Sequence, residues 1–213
     1  MKDTDRHAQD RTTPHRIVVV PRWGAREQDD WYPWLQAELA GSRTFAPVVI
    51  GDMPDPDEPT IERWSARLAE LVGSAAGTLA DTVLVGHSIG CQAALHFLAG
   101  LPDSTRVRGT LCVAGWWTVD EPWESIRPWT RNPPDLRRVR AGCGQLRVLL
   151  SDNDPFTADA AANGRLWRER LGAAVEVVPA AAHFNRSEEP RVLAELLRWY
   201  SPGSAAAGPR LTR

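Results

Sequence analysis

Cysteine is scarce: three residues, Cys91, Cys112 and Cys143, in a chain of 213. An odd number, with no C-x-x-C pair and no histidine cluster beside it, argues against a disulfide framework and a zinc site. The three thiols therefore read as small apolar core residues, and neither a metal nor a cofactor is expected. Long hydrophobic runs are also missing. No stretch approaches the roughly twenty apolar residues of a membrane span, and the polar segment from Met1 to His15 lacks the apolar core of a secretory signal. The expectation is a cytoplasmic protein with no membrane partner. Nor does one sign of charge dominate. With 25 basic and 27 acidic residues well mixed and a net charge of -2, no electropositive face announces nucleic acid. A small molecule is left as the expected partner. No internal repeat is visible, and the length suits one domain.

What is present is an alternation of short β-type runs with stretches of helical period. Strands are expected at Arg16–Val20, Phe45–Ile50, Thr82–Val85, Thr110–Ala114, Leu146–Leu150 and Val175–Val178. Helices are expected at Trp31–Ala40, Thr60–Gly73, Ile89–Leu98, Ala158–Leu171 and Pro190–Trp199. Strands that are apolar on both faces and separated by helices predict a three-layer α/β domain, its mostly parallel sheet covered on both sides. That domain is expected over residues 16–201, between a flexible arm at 1–15 and a flexible tail at 202–213. Right-handed crossovers place the third strand near the middle of the sheet, and ligands of such folds bind at the carboxyl ends of the strands.

The third strand runs into Gly86-His87-Ser88-Ile89-Gly90, with the Ala/Leu-rich stretch Gln92–Leu98 behind it. A G-x-S-x-G turn between strand and helix is a nucleophile elbow, in which the glycines let neighbouring backbone approach without a Cβ clash. The serine hydroxyl then projects above the sheet beside the first amides of a helix. A hydroxyl is a weak nucleophile near neutrality and needs a base and a group that orients that base. In this arrangement the partners follow in the order Ser, Asp or Glu, His, each on a loop after a later strand. His183, just past the sixth strand, fits the base. His7 and His15 sit in the polar arm, His96 lies inside a helix, and His87 is read as support for the turn. The loop after the fifth strand offers Asp152 and Asp154. Pro155 biases Asp154 to an extended backbone that would aim it at the histidine loop, so Asp154 is preferred and Asp152 is read as a loop-stabilising residue. The oxyanion donors are expected to be the amides of Ile89, at the helix start, and Trp23, in the loop after the first strand. The Arg22 side chain is open to two readings, solvated or in contact with a substrate carboxylate.

One segment breaks the rhythm. Residues 116–140 are rich in Trp and Pro and include Trp116, Trp117, Trp123 and Trp129. Either these indoles pack an irregular connection against the core, or some of them line an apolar pocket. Arg22, Trp116, Trp117, Trp129 and Phe156 are taken as candidates for that pocket.

Several ordered motifs resemble the retinoblastoma-binding-protein-9-like serine hydrolases, over roughly residues 16–200. They are Trp31-Tyr32-Pro33-Trp34-Leu35, Met53-Pro54-Asp55-Pro56 with Trp64 downstream, the elbow itself, Arg127-Pro128-Trp129, Asp152-Asn153-Asp154-Pro155-Phe156 and Ala182-His183-Phe184. The resemblance implies an α/β-hydrolase fold of about six strands without a large lid, with Ser88 as nucleophile, Asp154 as orienting acid and His183 as base. Two positions depart from the family pattern. Arg22 stands where glycine is usual, so an oxyanion loop of altered shape is expected, and Ala182 stands where Gly or Cys is usual. The expected activity is cofactor-independent hydrolysis of a small ester, with an amide or thioester as lesser options, through an acyl-enzyme on Ser88. The alternatives are a non-catalytic binding or regulatory module on the same scaffold, and acyl transfer to an acceptor other than water.

Overall fold

A computed structural model describes residues 14–73 and 79–199. Six strands, β1 (His15–Val20), β2 (Phe45–Ile50), β3 (Thr82–His87), β4 (Gly109–Val113), β5 (Gln145–Ser151) and β6 (Ala174–Val178), form one sheet in the order β2-β1-β3-β4-β5-β6. Every pairing is parallel, not merely most of them. The seven α-helices among the described residues are α1 (Tyr32–Leu39), α2 (Ile61–Gly73), α3 (Ile89–Gly100), α4 (Arg127–Arg131), α5 (Leu136–Gly142), α6 (Ala160–Leu171) and α7 (Pro190–Trp199).

The strands are apolar throughout because both faces of the sheet are covered. In β1, Ile17 and Val19 join one core with Trp31, Tyr32 and Leu35 around α1 and Val192 and Leu196 of α7. Val18 and Val20, one pleat away, join the other core with Trp64 and Leu68 of α2, the face of α3, and Trp167 of α6. This is the two-residue side-chain period of a strand sandwiched between helical layers. Cys91, Cys112 and Cys143 are free and buried. Burial pushes the Cys143 thiol up to about 12 and the Cys112 thiol well above its ordinary value, as befits core side chains. No helix among the described residues is long and apolar enough to cross a membrane.

Several expectations need adjustment. His15, assigned to the N-terminal arm, opens β1 and donates its amide to Thr44 O at 2.8 Å. The rest of that arm that falls in residues 1–13, and the tail at 202–213, lie outside the described residues. The third strand is two residues longer than its apolar run, because Gly86 and His87 still pair with Cys112 and Val113. The Trp- and Pro-rich segment is not wholly irregular and carries α4 and α5. Pro128 is the second residue of α4, where its fixed φ suits a first helical turn. Asp135 caps α5, its side chain accepting from the amides of Arg137 and Arg138. Both helices are too short to show a full apolar period, and that is why the pattern hid them.

Candidate active site

The elbow is built by steric necessity. Ser88 sits at φ 54°, ψ -117°, a conformation that costs a non-glycine residue on the order of 1–3 kcal/mol and persists only where the surroundings enforce it. The enforcement is visible. The Ser88 amide donates to Val113 O at 2.8 Å, and Ser88 O accepts from the Cys91 amide at 3.0 Å. A Cβ on Gly86 would lie 2.6 Å from Cys91 N, and one on Gly90 would lie 2.2 Å from Val20 O and 2.7 Å from Pro21 O. The two glycines thus let α3 press against the turn and against the loop after β1. Ile89 opens α3, and the first amides of a helix have no acceptor within it.

His183 and Asp154 are brought together by zipping two loops. Asp152 Oδ1 accepts from the Ala180 amide at 2.8 Å, Ser151 Oγ from Ala181 at 3.1 Å, and Asn153 Oδ1 from Ala182 at 2.7 Å. Asp152 therefore stabilises the loop, as read from the sequence. The next residue pair is His183 Nδ1 and Asp154 Oδ2, 2.8 Å apart. A carboxylate only accepts, so Nδ1 carries the proton and Nε2 is left as the basic nitrogen. Asp154 Oδ1 is held by the Phe156 amide at 2.9 Å. Ser88, Asp154 and His183 are 8 %, 4 % and 4 % exposed, a dry setting in which charge interactions are strong. Across from this pair, the His183 ring centroid is 5.5 Å from that of His87, the residue before Ser88.

A second polar chain ties the same loops together from below. The His87 Nε2 proton goes to His183 O at 2.8 Å, because a carbonyl can only accept. Nδ1 is then the acceptor for the Tyr32 hydroxyl, also 2.8 Å away, and the Tyr32 oxygen in turn accepts the Arg22 amide at 3.0 Å. Directionality is thus fixed from end to end. Burial, reinforced by the neighbouring His183 and Arg22, holds the His87 pKa well below the ordinary histidine value, which keeps the ring neutral. Burial and the Asp30 charge push Tyr32 well above its ordinary value, which keeps its proton. The sequence reading of His87 as support for the turn was too narrow, since it also anchors the His183 loop.

The loop after β1 carries the departure at Arg22. Its guanidinium grips Asp30 through two contacts, Nε to Oδ2 at 2.7 Å and Nη2 to Oδ1 at 3.1 Å, and Nη1 donates to Trp23 O at 2.9 Å. Neither reading of Arg22, solvated or facing a substrate carboxylate, describes this arrangement: the side chain braces its own loop. In that loop the amides of Arg22, Gly24 and Ala25 are spent on Tyr32 Oη, Pro56 O and Arg22 O. The Trp23 amide meets no acceptor among the described residues.

The tryptophans separate into two groups. Trp116, Trp117 and Trp129 are buried in the core. Trp129 donates to Pro59 O at 3.0 Å and packs edge-on to Trp64 at 6.1 Å. Trp117 lies 5.0 Å from Trp167, with the Arg170 guanidinium 4.8 Å from its ring. The packing reading, not the pocket one, describes Trp117 and Trp129. Phe156 is different, being 37 % exposed and set edge-to-face on His183 at 4.7 Å. Trp123, which the sequence reading did not place among pocket candidates, contacts both Phe156 and Trp23. No periodic signal marks it, because it sits in a loop whose path only the fold sets.

An all-parallel sheet with a strained serine at the end of its central strand and a His-Asp pair on the last two loops defines an α/β-hydrolase-type domain. Residues 17–193 match the family model described as serine hydrolase, and the chain belongs to that family. It is 25 % identical over 178 residues to the YdeN protein of Bacillus subtilis, covering 81 % of this chain and 87 % of that one. The crystal structure of the same ydeN gene product superposes with a TM-score of 0.78 at 22 % identity, over 88 % of this chain and 100 % of that one. A carboxylesterase structure from Nitrososphaera gargenis shares the fold with a TM-score of 0.63 at 12 % identity, over 86 % and 88 % of the two chains. The RedJ thioesterase of Streptomyces coelicolor does so with a TM-score of 0.59 at 19 % identity, over 90 % and 95 %.

Proposed function

We propose that the protein is a carboxylesterase-like serine hydrolase whose nucleophile is Ser88, with His183 as base and Asp154 as orienting acid, and that within its family it groups with the retinoblastoma-binding-protein-9-like enzymes. The observation that carries this reading is the strained Ser88 at φ 54° on the same sheet edge as the 2.8 Å His183–Asp154 pair. His183 Nε2 takes the proton as Ser88 Oγ attacks the ester carbonyl carbon. The negative charge that develops on the carbonyl oxygen is met by the amides of Ile89 and Trp23. Collapse expels the alcohol, which receives the proton from the imidazolium, and leaves an acyl group on Ser88. Water, deprotonated by the same histidine, then releases the acid and restores the enzyme. Asp154 keeps the proton on Nδ1 and stabilises the imidazolium throughout.

An ester is favoured over an amide because an alcohol is the easier group to expel, His183 being the one proton donor named for either. The thioesterase and carboxylesterase among the fold relatives support the acyl class, not a particular acyl chain. The experiment is labelling with a fluorophosphonate alongside turnover of a short p-nitrophenyl ester. Wild-type protein is expected to be labelled and to turn over, and Ser88→Ala to do neither while keeping its fold by circular dichroism. A folded wild type that stays unlabelled, or equal labelling of Ser88→Ala, overturns the assignment. Release to added alcohols or amines instead of water would mark an acyltransferase.

A further inference from the structure

We propose that the alcohol half of the substrate, the part that leaves, carries an aromatic ring, and that Phe156 and Trp123 form the subsite that selects it. This rests on the roles of Ser88 and His183 given above. Four rings follow one another along the carboxyl edge of the sheet. Trp23 and Trp123 are 5.3 Å apart and inclined by 75°, Trp123 and Phe156 are 5.8 Å apart at 59°, and Phe156 and His183 are 4.7 Å apart at 73°. They come from the loops after β1, β4, β5 and β6, which surround the Ser88 loop after β3. The series therefore runs from the loop that supplies an oxyanion donor to the imidazole that protonates the departing oxygen.

Chemistry decides which half of the ester meets which ring. The imidazolium must reach the leaving oxygen, so whatever that oxygen carries passes beside the His183 ring. Phe156 is the aromatic side chain set against that ring, and Trp123 is next to it. Phe156 is also exposed, one of three large apolar side chains so placed among the described residues, and nothing in the core accounts for keeping a phenyl ring there. Its backbone is nevertheless pinned on both sides: its amide goes to Asp154 Oδ1 at 2.9 Å, and its carbonyl accepts from the Asp120 amide at 3.0 Å. At the far end, Trp23 Nε1 donates to Asp57 O at 2.9 Å and Ser125 Oγ at 3.1 Å, which fixes the indole on which Trp123 rests. The wall is thus preformed, and a ligand that uses it need not order it. Rings already arranged edge-to-face favour another aromatic ring over a saturated one of the same size.

Benzyl acetate and cyclohexylmethyl acetate share an acyl group, leave as alcohols of similar acidity, and differ in aromaticity. The wild type is expected to favour the benzyl ester in kcat/KM by about three- to tenfold, and Phe156→Leu or Trp123→Leu to bring the ratio to about one. Phe156→Tyr and Trp123→Phe, which keep a ring, are expected to retain most of the preference. Methyl phenylacetate against methyl cyclohexylacetate moves the ring to the acyl side, and no comparable preference is expected. A wild-type benzyl ratio near one, or a preference that survives both leucine variants, overturns the proposal while leaving Ser88-dependent turnover intact. Failure of the catalytic reading looks different, with neither ester hydrolysed and Ser88 unlabelled. Protection of Ser88 against the fluorophosphonate gives a readout without turnover: benzyl alcohol should protect better than cyclohexylmethanol, and equal protection counts against the subsite.

Discussion

Replacing Tyr32 with phenylalanine removes one oxygen and strands two partners, the buried His87 ring and the part-buried Arg22 amide. The Tyr32 hydroxyl receives the Arg22 amide at 3.0 Å and faces His87 Nδ1 at 2.8 Å, and both Tyr32 and His87 are fully buried. Leaving the buried His87 Nδ1 unpaired costs about 1–3 kcal/mol and the part-buried Arg22 amide the lower part of that range, about 1–2 kcal/mol, so the variant should lose about 2–5 kcal/mol. For a chain of this size each kcal/mol shifts Tm by about 2–4 °C, giving a drop of roughly 4–20 °C in a calorimetric scan. Urea titration should show the midpoint fall with an unchanged slope, since the exposed surface is the same. Activity should fall chiefly in kcat, because the freed Arg22 and His87 flank the proposed oxyanion loop and the His183 carbonyl. A stability loss below about 0.5 kcal/mol would refute the claim that this chain of hydrogen bonds holds the loops together, since that is the scatter expected of an inconsequential surface change.

The neutral His87 also predicts a pH dependence. Its folded pKa lies well below the unfolded value of 6.5, so the unfolded chain binds the extra proton first. Stability is therefore fully present above pH 6.5 and falls as the pH drops below it, by up to about 1.4 kcal/mol per pH unit for one such group. His15 and His96, also lowered chiefly by burial, tilt it the same way, and urea midpoints that are flat between pH 7.5 and 5.5 would contradict this. Asp154→Asn keeps an acceptor for the Phe156 amide but offers an amide group where His183 Nδ1 needs a carboxylate. It should lower kcat by about 10³–10⁴-fold with little loss of fold, and near-normal turnover in a steady-state assay would remove Asp154 from its proposed role. Gly90→Ala puts a methyl 2.2 Å from Val20 O, a backbone atom that cannot step aside. A loss of at least about 1–3 kcal/mol is expected from such overpacking, and thermal stability equal to wild type would show that the α3 contact is looser than described.

Much of this molecule is legible without coordinates. The six strands are readable because a parallel sheet covered on both faces demands continuous apolar runs, and Phe45–Ile50 matches its observed span to the residue. The elbow is readable because its geometry is local: glycines are needed at 86 and 90, where a Cβ would meet backbone. The proposed order of Ser88, Asp154 and His183 follows from strand succession, and the preference for Asp154 over Asp152 as the partner of His183 from one proline. The short helices α4 and α5 escaped because five to seven residues do not establish a period. Arg22 was misread because its partner Asp30 lies outside any motif, in a turn at φ 50° that only the folded chain brings within reach of the guanidinium.

The sequence by itself determined the six strands, the longer helices and where the serine is strained, because periodic burial and steric exclusion act between near neighbours. Only the tertiary structure decided which polar groups meet and which aromatic rings line up. Tyr32, His87 and the carbonyl of His183 are joined across separations of 55 and 96 residues, and Trp23, Trp123 and Phe156 converge from three loops. Such contacts carry no repeat along the chain, and they exist because the parallel sheet delivers every one of those loops to the same edge.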